Sequence, residues 1–281
     1  MSARVGVFRK NQLSFGNRKS KILYGRIDMY LHGAIYDIDE LAHENLHIHT
    51  TFSRCAKRNM TLDNILDEAM KTNLKTIAIT DHHQPFEKGF EDNVKVIRQG
   101  LRGRELPFKV LVGGELSSYD VGKFSDTDEE NASFDYRLYS CNHYHQDSWV
   151  HPEDRSLKGY IDRCFENINA LLLAERADCI AHPFVGKYII EYVEEDIGSD
   201  PCTVTAAFDD GRIAEAMELS KKVQTAWELN VGAILSDPVF YRRFFNIGRE
   251  VGAVFNLGMD THSLDRVDPE KYSDELKRIL L

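Results

Sequence analysis

From residue 45 onward, short apolar segments alternate with longer amphipathic ones, and this rhythm constrains the fold most strongly. NLHIH and KTIAIT are strand-like, whereas TLDNILDEAMKTNL and SLKGYIDRCFENINALLLAER have the periodicity of helices. Strands that alternate with helices pair in parallel through helical crossovers. We count about seven strands, most of them apolar throughout, as is typical of strands buried on both faces. The pattern predicts an α/β fold with a closed or nearly closed β/α barrel; a doubly wound open sheet is the alternative.

The 281-residue chain has a length that one α/β barrel routinely fills as a single domain. We predict an N-terminal extension over residues 1–40, with a short hairpin or edge strand in its second half. Residues 41–281 then form the barrel domain. No internal repeat and no linker interrupts the alternation of strands and helices.

Charge and composition limit the partners of this chain. Lys and Arg total 35 against 45 Asp and Glu, a net charge of −10 that argues against broad binding to duplex nucleic acid. No apolar run approaches the ~20 residues of a membrane helix, and the basic start lacks the apolar core of a secretory signal. Five widely spaced cysteines without a CxxC pair indicate reduced thiols and a cytoplasmic location. The oligomeric state stays open.

Residues able to bind metal recur where the predicted strands end, and active sites of such barrels lie at the carboxyl ends of the strands. His47 and His49 are two residues apart on one strand, so both side chains project from the same face. Each such residue alone has an ordinary structural explanation, but their alignment on successive strands favours a shared metal site. In chain order the candidates are His47, His49, Asp81, His82, Glu115, His143, His182, Asp260 and His262.

The donor types indicate which ions this layer would bind. Mixed imidazole and carboxylate ligands suit zinc, manganese or iron better than calcium. Eight of these nine residues, all except Asp81, are too many ligands for one tetrahedral site, so we expect two or three divalent ions, with carboxylates such as Glu115 and Asp260 able to bridge them. Ions of this kind lower the pKa of bound water and so supply a hydroxide nucleophile for phosphate displacement.

Six motifs in this layer resemble those of the polymerase and histidinol phosphatase (PHP) family. They occur in the family's order, over roughly residues 45–265. The motifs read HIHTTFS, ITDH, GGELS, SCNH, AHPF and GMDTH. The resemblance implies a distorted barrel of seven strands with two or three ions and phosphoester hydrolysis of the histidinol-phosphatase type.

The resemblance also assigns roles to individual residues. Asp260 and His182 would be catalytic through the metal-activated water, Glu115 would bridge ions, and Asp81 would orient neighbouring ligands. The implied metal ligands are His47, His49, His82, Glu115, His143, His182, Asp260 and His262.

Cys55 stands where the sequence departs from the family pattern. Many relatives have an aspartate or histidine ligand in the loop after the first motif, and here that loop reads SRCAKR. Cys55 lies eight positions after His47, where histidinol-phosphatase-like members have a histidine. A thiolate there would bind zinc, and a buried apolar cysteine is the alternative. Without a ligand at Cys55, we expect the third ion to be weak or absent.

We therefore expect a metal-dependent hydrolase of small phosphomonoesters or phosphodiesters, of the nucleotide or histidinol phosphate type, using a metal-activated hydroxide. Alternatives are an exonuclease acting on oligonucleotide ends and a non-catalytic regulatory PHP module. An amide or lactone hydrolase would need a bridging lysine, which no strand end supplies. Glu228 and Asn230 near the end of another strand have either a structural or a substrate-facing role. The cations that could bind a substrate phosphate are Arg54, Lys57, Arg58 and Lys187.

Overall fold

The computed structural model describes residues 31–86 and 88–281, in which seven parallel strands form a nearly closed barrel. The barrel order is β1-β2-β4-β6-β7-β8-β9, while the short β3 and β5 pair with β4. The predicted barrel is thus confirmed, and the open-sheet alternative is wrong. The strands are β1 (Glu44–Ile48), β2 (Thr76–Ile79), β3 (His82–His83), β4 (Lys109–Asp120), β5 (Lys123–Phe124), β6 (Tyr136–Ser140), β7 (Cys179–Ile180), β8 (Ala226–Asn230) and β9 (Phe255–Gly258).

Helices connect the strands and cover the outside of the barrel. Thr61 caps α2, because its side chain accepts a hydrogen bond from the backbone of Asn64, and Thr127 with Glu130 forms a capping box at the start of α4. None of the described helices has the length and apolar character needed to span a bilayer. The helices are α1 (Ile38–Leu41), α2 (Leu62–Ala69), α3 (Phe90–Leu101), α4 (Asp128–Ser133), α5 (Leu157–Leu173), α6 (Pro201–Ala206), α7 (Asp210–Lys222), α8 (Val231–Ser236), α9 (Pro238–Val251) and α10 (Ser273–Leu280). Turns of 3₁₀ helix span Gly186–Tyr188, Ile190–Tyr192, Leu264–Arg266 and Pro269–Tyr272.

The structure describes residues 31–40 of the predicted N-terminal extension. Most of the hairpin expected in residues 1–40 falls outside the described residues. Within the described part, Asp37 caps α1, because its side chain accepts hydrogen bonds from the backbone of Asp39 and Glu40. The boundary at residue 40 stays a prediction.

Strand β1 contains an irregularity that matters for the site. Its pairing with β2 shifts register between Asn45 and Ile48. Leu46 belongs to the apolar cluster inside the barrel, and the next residue, His47, contacts Glu115 in the same interior. Adjacent residues of a regular strand point to opposite faces, so this bulge is what lets both side chains reach the interior.

The barrel closes where β1 meets the end of β9, by a short contact rather than a full ladder. Ile48 and Thr261 form an isolated parallel bridge. The backbone N–H of His49 donates to Thr261 (3.0 Å), and that of Thr261 donates to His47 (2.9 Å). Earlier in β1, Oε1 of Glu44 accepts a hydrogen bond from the backbone N–H of Leu257 in β9 (2.8 Å). Oδ1 of Asn45 accepts one from the backbone N–H of Met259, the residue after β9 (3.2 Å). These contacts bring β1 and β9, the first and last described strands of the barrel, together at its carboxyl end.

Candidate metal centre

Four donor groups from β1, β4 and the loop after β9 meet at the carboxyl end of the barrel. The Nε2 atoms of His47 and His49 are 3.0 Å apart. Oδ1 of Asp260 lies 3.4 and 3.1 Å from these two nitrogens, and Oε2 of Glu115 lies 3.3 and 3.5 Å from them. Because their ligand atoms all lie within 4.8 Å of one another, the four groups could hold one ion.

A second group shares Glu115 with the first. Its other oxygen, Oε1, lies 2.9 Å from Nε2 of His182 and 3.6 Å from Nε2 of His143. The three residues are buried, and their ligand atoms also lie within 4.8 Å of one another. Glu115 therefore presents one oxygen to each group, which is the arrangement a bridging carboxylate requires.

The third group lies nearer the surface. The rings of His82 and His262 each stack on His49 with centroids 4.4 Å apart, and the three residues form a possible ligand set. Sγ of Cys55 lies 2.9 Å from Nε2 of His262. Cys55 is an exposed residue whose sulfur contacts a histidine, so the alternative of a buried apolar cysteine is wrong. Burial raises the pKa of Cys55, but hydrogen bonds from His262 and His82 outweigh it and lower the pKa to about 7.

The ionisation states suit divalent cations. Burial raises the pKa of Glu115, but His82 and His47 outweigh it and hold this pKa well below its usual range. Asp260 has a similarly depressed pKa because of His47 and His49.

His143 offers a neutral donor to the same layer. Burial lowers its pKa well below the usual range, and neither ring nitrogen has a hydrogen-bond partner in the described chain. Ionised carboxylates beside imidazoles, which give up their protons when a cation binds, are the donor set of a divalent metal site.

Glu228 contacts two of the candidate histidine ligands, His47 and His182. Its Oε1 lies 2.8 Å from Nδ1 of His47, and its Oε2 accepts a hydrogen bond from the backbone N–H of His182. A side chain on Gly258 would collide with this carboxylate, because an added Cβ would lie 2.0 Å from Oε1. Sequence reasoning left Glu228 undecided between two roles; the structure shows a contact that orients a candidate ligand.

Asp81 supports His49 through Ser53. It accepts hydrogen bonds from the Thr50 backbone (2.7 Å), the Thr50 hydroxyl (2.7 Å) and the Ser53 hydroxyl (2.6 Å). The Ser53 oxygen lies 3.2 Å from Nδ1 of His49. Asp81 thus occupies the position expected of a residue that orients ligands. His83, next to His82, points away and stacks on Phe90 with centroids 4.5 Å apart.

Two of the candidate ligands have strained backbones. His182 has a φ of 24° and Asp260 a φ of 49°, in the left-handed region that residues other than glycine rarely adopt. Strain of this kind costs about 1–3 kcal/mol and concentrates at functional sites. The surrounding fold therefore maintains these two side chains at a cost in stability.

A cavity of about 900 Å³ opens above the three groups. Of the four cations expected to bind phosphate, Arg54 and Lys187 line it. Lys57 and Arg58 do not line it, and Lys57 instead lies 3.9 Å from Asp265. Sequence reasoning missed a third cation, Arg266, whose only signal was its place four residues after His262.

Comparison with known proteins identifies the family. The model of the PHP domain matches residues 45–220. No curated protein matches the chain significantly.

Two solved structures have a similar fold. A histidinol phosphate phosphatase from Lactococcus lactis subsp. lactis, complexed with zinc, L-histidinol and phosphate, superposes with a TM-score of 0.56 at 13% identity, over 84% of this chain and 92% of that one. A protein from Listeria monocytogenes described as a histidinol phosphatase superposes with a TM-score of 0.53 at 12% identity, over 82% and 99%.

Proposed function

The chain belongs to the PHP domain family of metal-dependent phosphoesterases, and we propose that it hydrolyses a small phosphoester at the carboxyl end of its barrel. The observation that carries this proposal is the convergence of three overlapping donor groups at the base of one cavity. All eight ligand positions implied by the family resemblance lie in this layer. A non-catalytic module would not need this arrangement.

We assign the chain's own residues the following roles. The eight histidine and carboxylate residues would hold the ions, with Glu115 shared between the two inner groups. Bound divalent ions lower the pKa of coordinated water and neutralise charge on phosphate oxygens. Glu228 fixes the ring of His47, Asp81 acts on His49 through Ser53, and Arg54 at the cavity wall is available to donate to a phosphate oxygen.

A panel of phosphoesters tests this function. The full chain, purified without chelator, is assayed with zinc, manganese or iron on sugar phosphates, nucleotides, histidinol phosphate and 5′-phosphorylated oligonucleotides. We expect phosphate release that chelation abolishes and added metal restores, and His143→Ala to reduce it strongly. Absence of metal-dependent turnover across the panel would count against the proposal.

The panel also separates the alternatives. Histidinol phosphate is included because the Lactococcus lactis structure contains L-histidinol and phosphate. Turnover restricted to the oligonucleotides would favour the exonuclease alternative, and a chain that binds metal without any turnover would favour a regulatory module. We also propose a cytoplasmic location, which the five free cysteines support.

We further propose that three ions bind and that Cys55 is a ligand of the outermost one. Support comes from the 2.9 Å distance between its Sγ and Nε2 of His262, and from the hydrogen bond between Cys55 and His82. A thiolate beside two imidazoles is a ligand set that favours zinc among the expected metals.

Cobalt substitution tests the thiolate ligand without relying on activity. We expect the Co(II) protein to show a near-ultraviolet thiolate-to-cobalt charge-transfer band that Cys55→Ser abolishes while one ion per chain is lost. Cys55→His should retain that ion without the band. Cys202→Ser is the matched control, because Cys202 is partly exposed and does not line the cavity. A band that persists in Cys55→Ser would exclude Cys55 as a ligand.

A further inference from the structure

We infer that the cavity selects a phosphoester whose alcohol half carries a second negative charge, a carboxylate or another phosphate, and that Lys187 and Arg266 bind this charge. The inference rests on the proposed function and names its substrate class. The inference predicts that this chain prefers a different substrate from an enzyme whose substrate carries an ammonium group.

The charges that line the cavity support this assignment. Glu115 and Asp260, both candidate metal ligands, are the only carboxylates among the described residues that line it. Every other charged residue of that lining is a cation: Arg54, Lys187 and Arg266. The whole chain has 45 acidic and 35 basic residues, so the cavity wall has a higher proportion of cations than the chain as a whole.

The three cations approach the cavity from separate loops. Arg54 follows β1, Lys187 follows β7, and Arg266 follows β9. No side chain of these three forms an ion pair within the described part of the protein. Arg58 and Lys57, by contrast, lie in the same loop as Arg54 and do not line the cavity. The cavity wall thus combines charges that are distant in sequence, which a solvated charge run would not do.

Arg266 carries the clearest sign of a missing partner. It ends the 3₁₀ turn Leu264–Arg266, and its side chain is half-buried. Its Nε is fully buried and has no hydrogen-bond partner among the described residues. Its other guanidinium nitrogens also form no hydrogen bond among the described residues, and because the residue lines the cavity, they are available to donate to an anion there. Its neighbour Asp265 is exposed and does not line the cavity.

Lys187 combines its charge with an aromatic surface. Its ammonium lies 4.8 Å from the centroid of the Tyr188 ring, which in turn stacks on His145 with centroids 4.4 Å apart. Both rings line the cavity, and the lysine adds a cation that has no ion-pair partner among the described residues. Because Lys187 already occupies the face of Tyr188, that ring is not free to bind a second cation.

These features disfavour an amino alcohol as the leaving group. A bound ammonium would be repelled by the three cations, and the only carboxylates that line the cavity among the described residues are the candidate metal ligands Glu115 and Asp260. A carboxylate or phosphate would instead form charge-assisted hydrogen bonds with Lys187 and Arg266. Bisphosphates and phosphorylated hydroxy acids therefore fit the cavity, and a monoester of an amino alcohol does not.

Matched phosphonates test the inference without requiring turnover. Binding to the zinc-loaded full chain is measured by calorimetry for 3-phosphonopropionate, propylphosphonate and 3-aminopropylphosphonate, which differ mainly in terminal charge. We expect the carboxylate to bind about tenfold to a hundredfold more tightly than the neutral compound, and the ammonium to bind most weakly. Propane-1,3-diphosphonate distinguishes a second phosphate from a carboxylate. Equal binding of all three, or tightest binding of the ammonium, would overturn the inference.

Variants assign the effect to the two cations. Arg266→Gln and Lys187→Gln should each lower the preference for 3-phosphonopropionate over propylphosphonate about tenfold, and Arg266→Lys should restore part of it. Arg102→Gln is the matched control, because Arg102 is exposed and follows α3 at the other end of the barrel. An unchanged preference in both Gln variants would overturn the assignment. If no ester is hydrolysed but this preference persists, only the proposed hydrolysis fails.

Discussion

Glu228 lies directly behind His47, with 2.8 Å between its Oε1 and Nδ1 of the imidazole ring. Both side chains are buried, and the same carboxylate also accepts a hydrogen bond from the backbone of His182. The contact favours a proton on Nδ1 of His47 and directs Nε2 towards Glu115 and Asp260. One residue that is not a candidate ligand therefore positions parts of both inner donor groups.

Glu228→Gln is expected to weaken metal binding about tenfold to a hundredfold, the usual effect of replacing a residue that orients a ligand. The amide preserves shape but removes the charge that favours the Nδ1 proton of His47. The zinc affinity of wild type and variant, measured by competition with a chromophoric chelator, tests this. An unchanged affinity would show that Glu228 is structural only.

Asp260→Asn is expected to lower activity more than about a hundredfold, because several kcal/mol of charge stabilisation are lost with the carboxylate. Asparagine tolerates the left-handed backbone at this position, whereas Asp260→Ala adds about 1–2 kcal/mol of strain. Phosphatase assays should be paired with melting curves of the metal-free proteins. Full activity in the Asn variant would show that Asp260 is not a ligand of the site. His182→Asn provides the same comparison for the second ligand with a strained backbone.

Gly258→Ala is expected to destabilise the protein by about 1–3 kcal/mol, as overpacking does. The new Cβ would lie 2.0 Å from Oε1 of Glu228 and 2.9 Å from Cβ of His47. Chemical denaturation measures the loss. In the double variant Gly258→Ala with Glu228→Ala, part of the added cost should vanish, because the colliding carboxylate is gone and only the contact with Cβ of His47 remains. Additive effects of the two substitutions would contradict the proposed collision.

Thiol labelling of the metal-free protein is expected to modify Cys55 rapidly, because its thiol is exposed. Cys141 and Cys164 should react only on unfolding, because they are buried and burial raises the pKa of Cys164 to about 12 and that of Cys141 further. Zinc should slow the rapid reaction if Cys55 is a ligand. Labelling at equal rates with and without zinc would argue against that assignment.

Chelation is expected to lower the melting temperature by roughly 5–10 °C. An ion present at 100 times its dissociation constant stabilises the folded state by about 2.7 kcal/mol, and each kcal/mol shifts the midpoint by about 2–4 °C in a domain of this size. Thermal unfolding with EDTA and with zinc provides the measurement. His143→Ala should show a smaller chelator effect than wild type, and an equal effect would place the stabilising ion elsewhere.

The candidate ligands could be predicted from the sequence because the carboxyl ends of barrel strands meet at one end of the fold. His82 and His182 lie just beyond the carboxyl ends of β2 and β7, as predicted. Glu115, predicted at a strand end, instead lies within β4, because that strand continues past the ligand layer to Asp120. Their convergence thus follows from the strand–helix alternation alone.

Other features depend on geometry that the sequence does not express. The bulge in β1 arises from its register with β2, so the inward turn of His47 after Leu46 could not be deduced. Arg266 reaches the cavity because of the 3₁₀ turn that it ends, whereas Lys57 is no less basic but does not line the cavity. Loop side chains take their direction from local turns, and composition cannot distinguish them.

The contact that closes the barrel has a consequence for how its ends are held together. His47 and His49 come from the first strand and Asp260 from the residues after the last, on either side of the single bridge between Ile48 and Thr261. An ion bound by these three residues is a cross-link between segments more than 200 residues apart. Such a cross-link opposes separation of β1 from the end of β9, but only while the metal is bound.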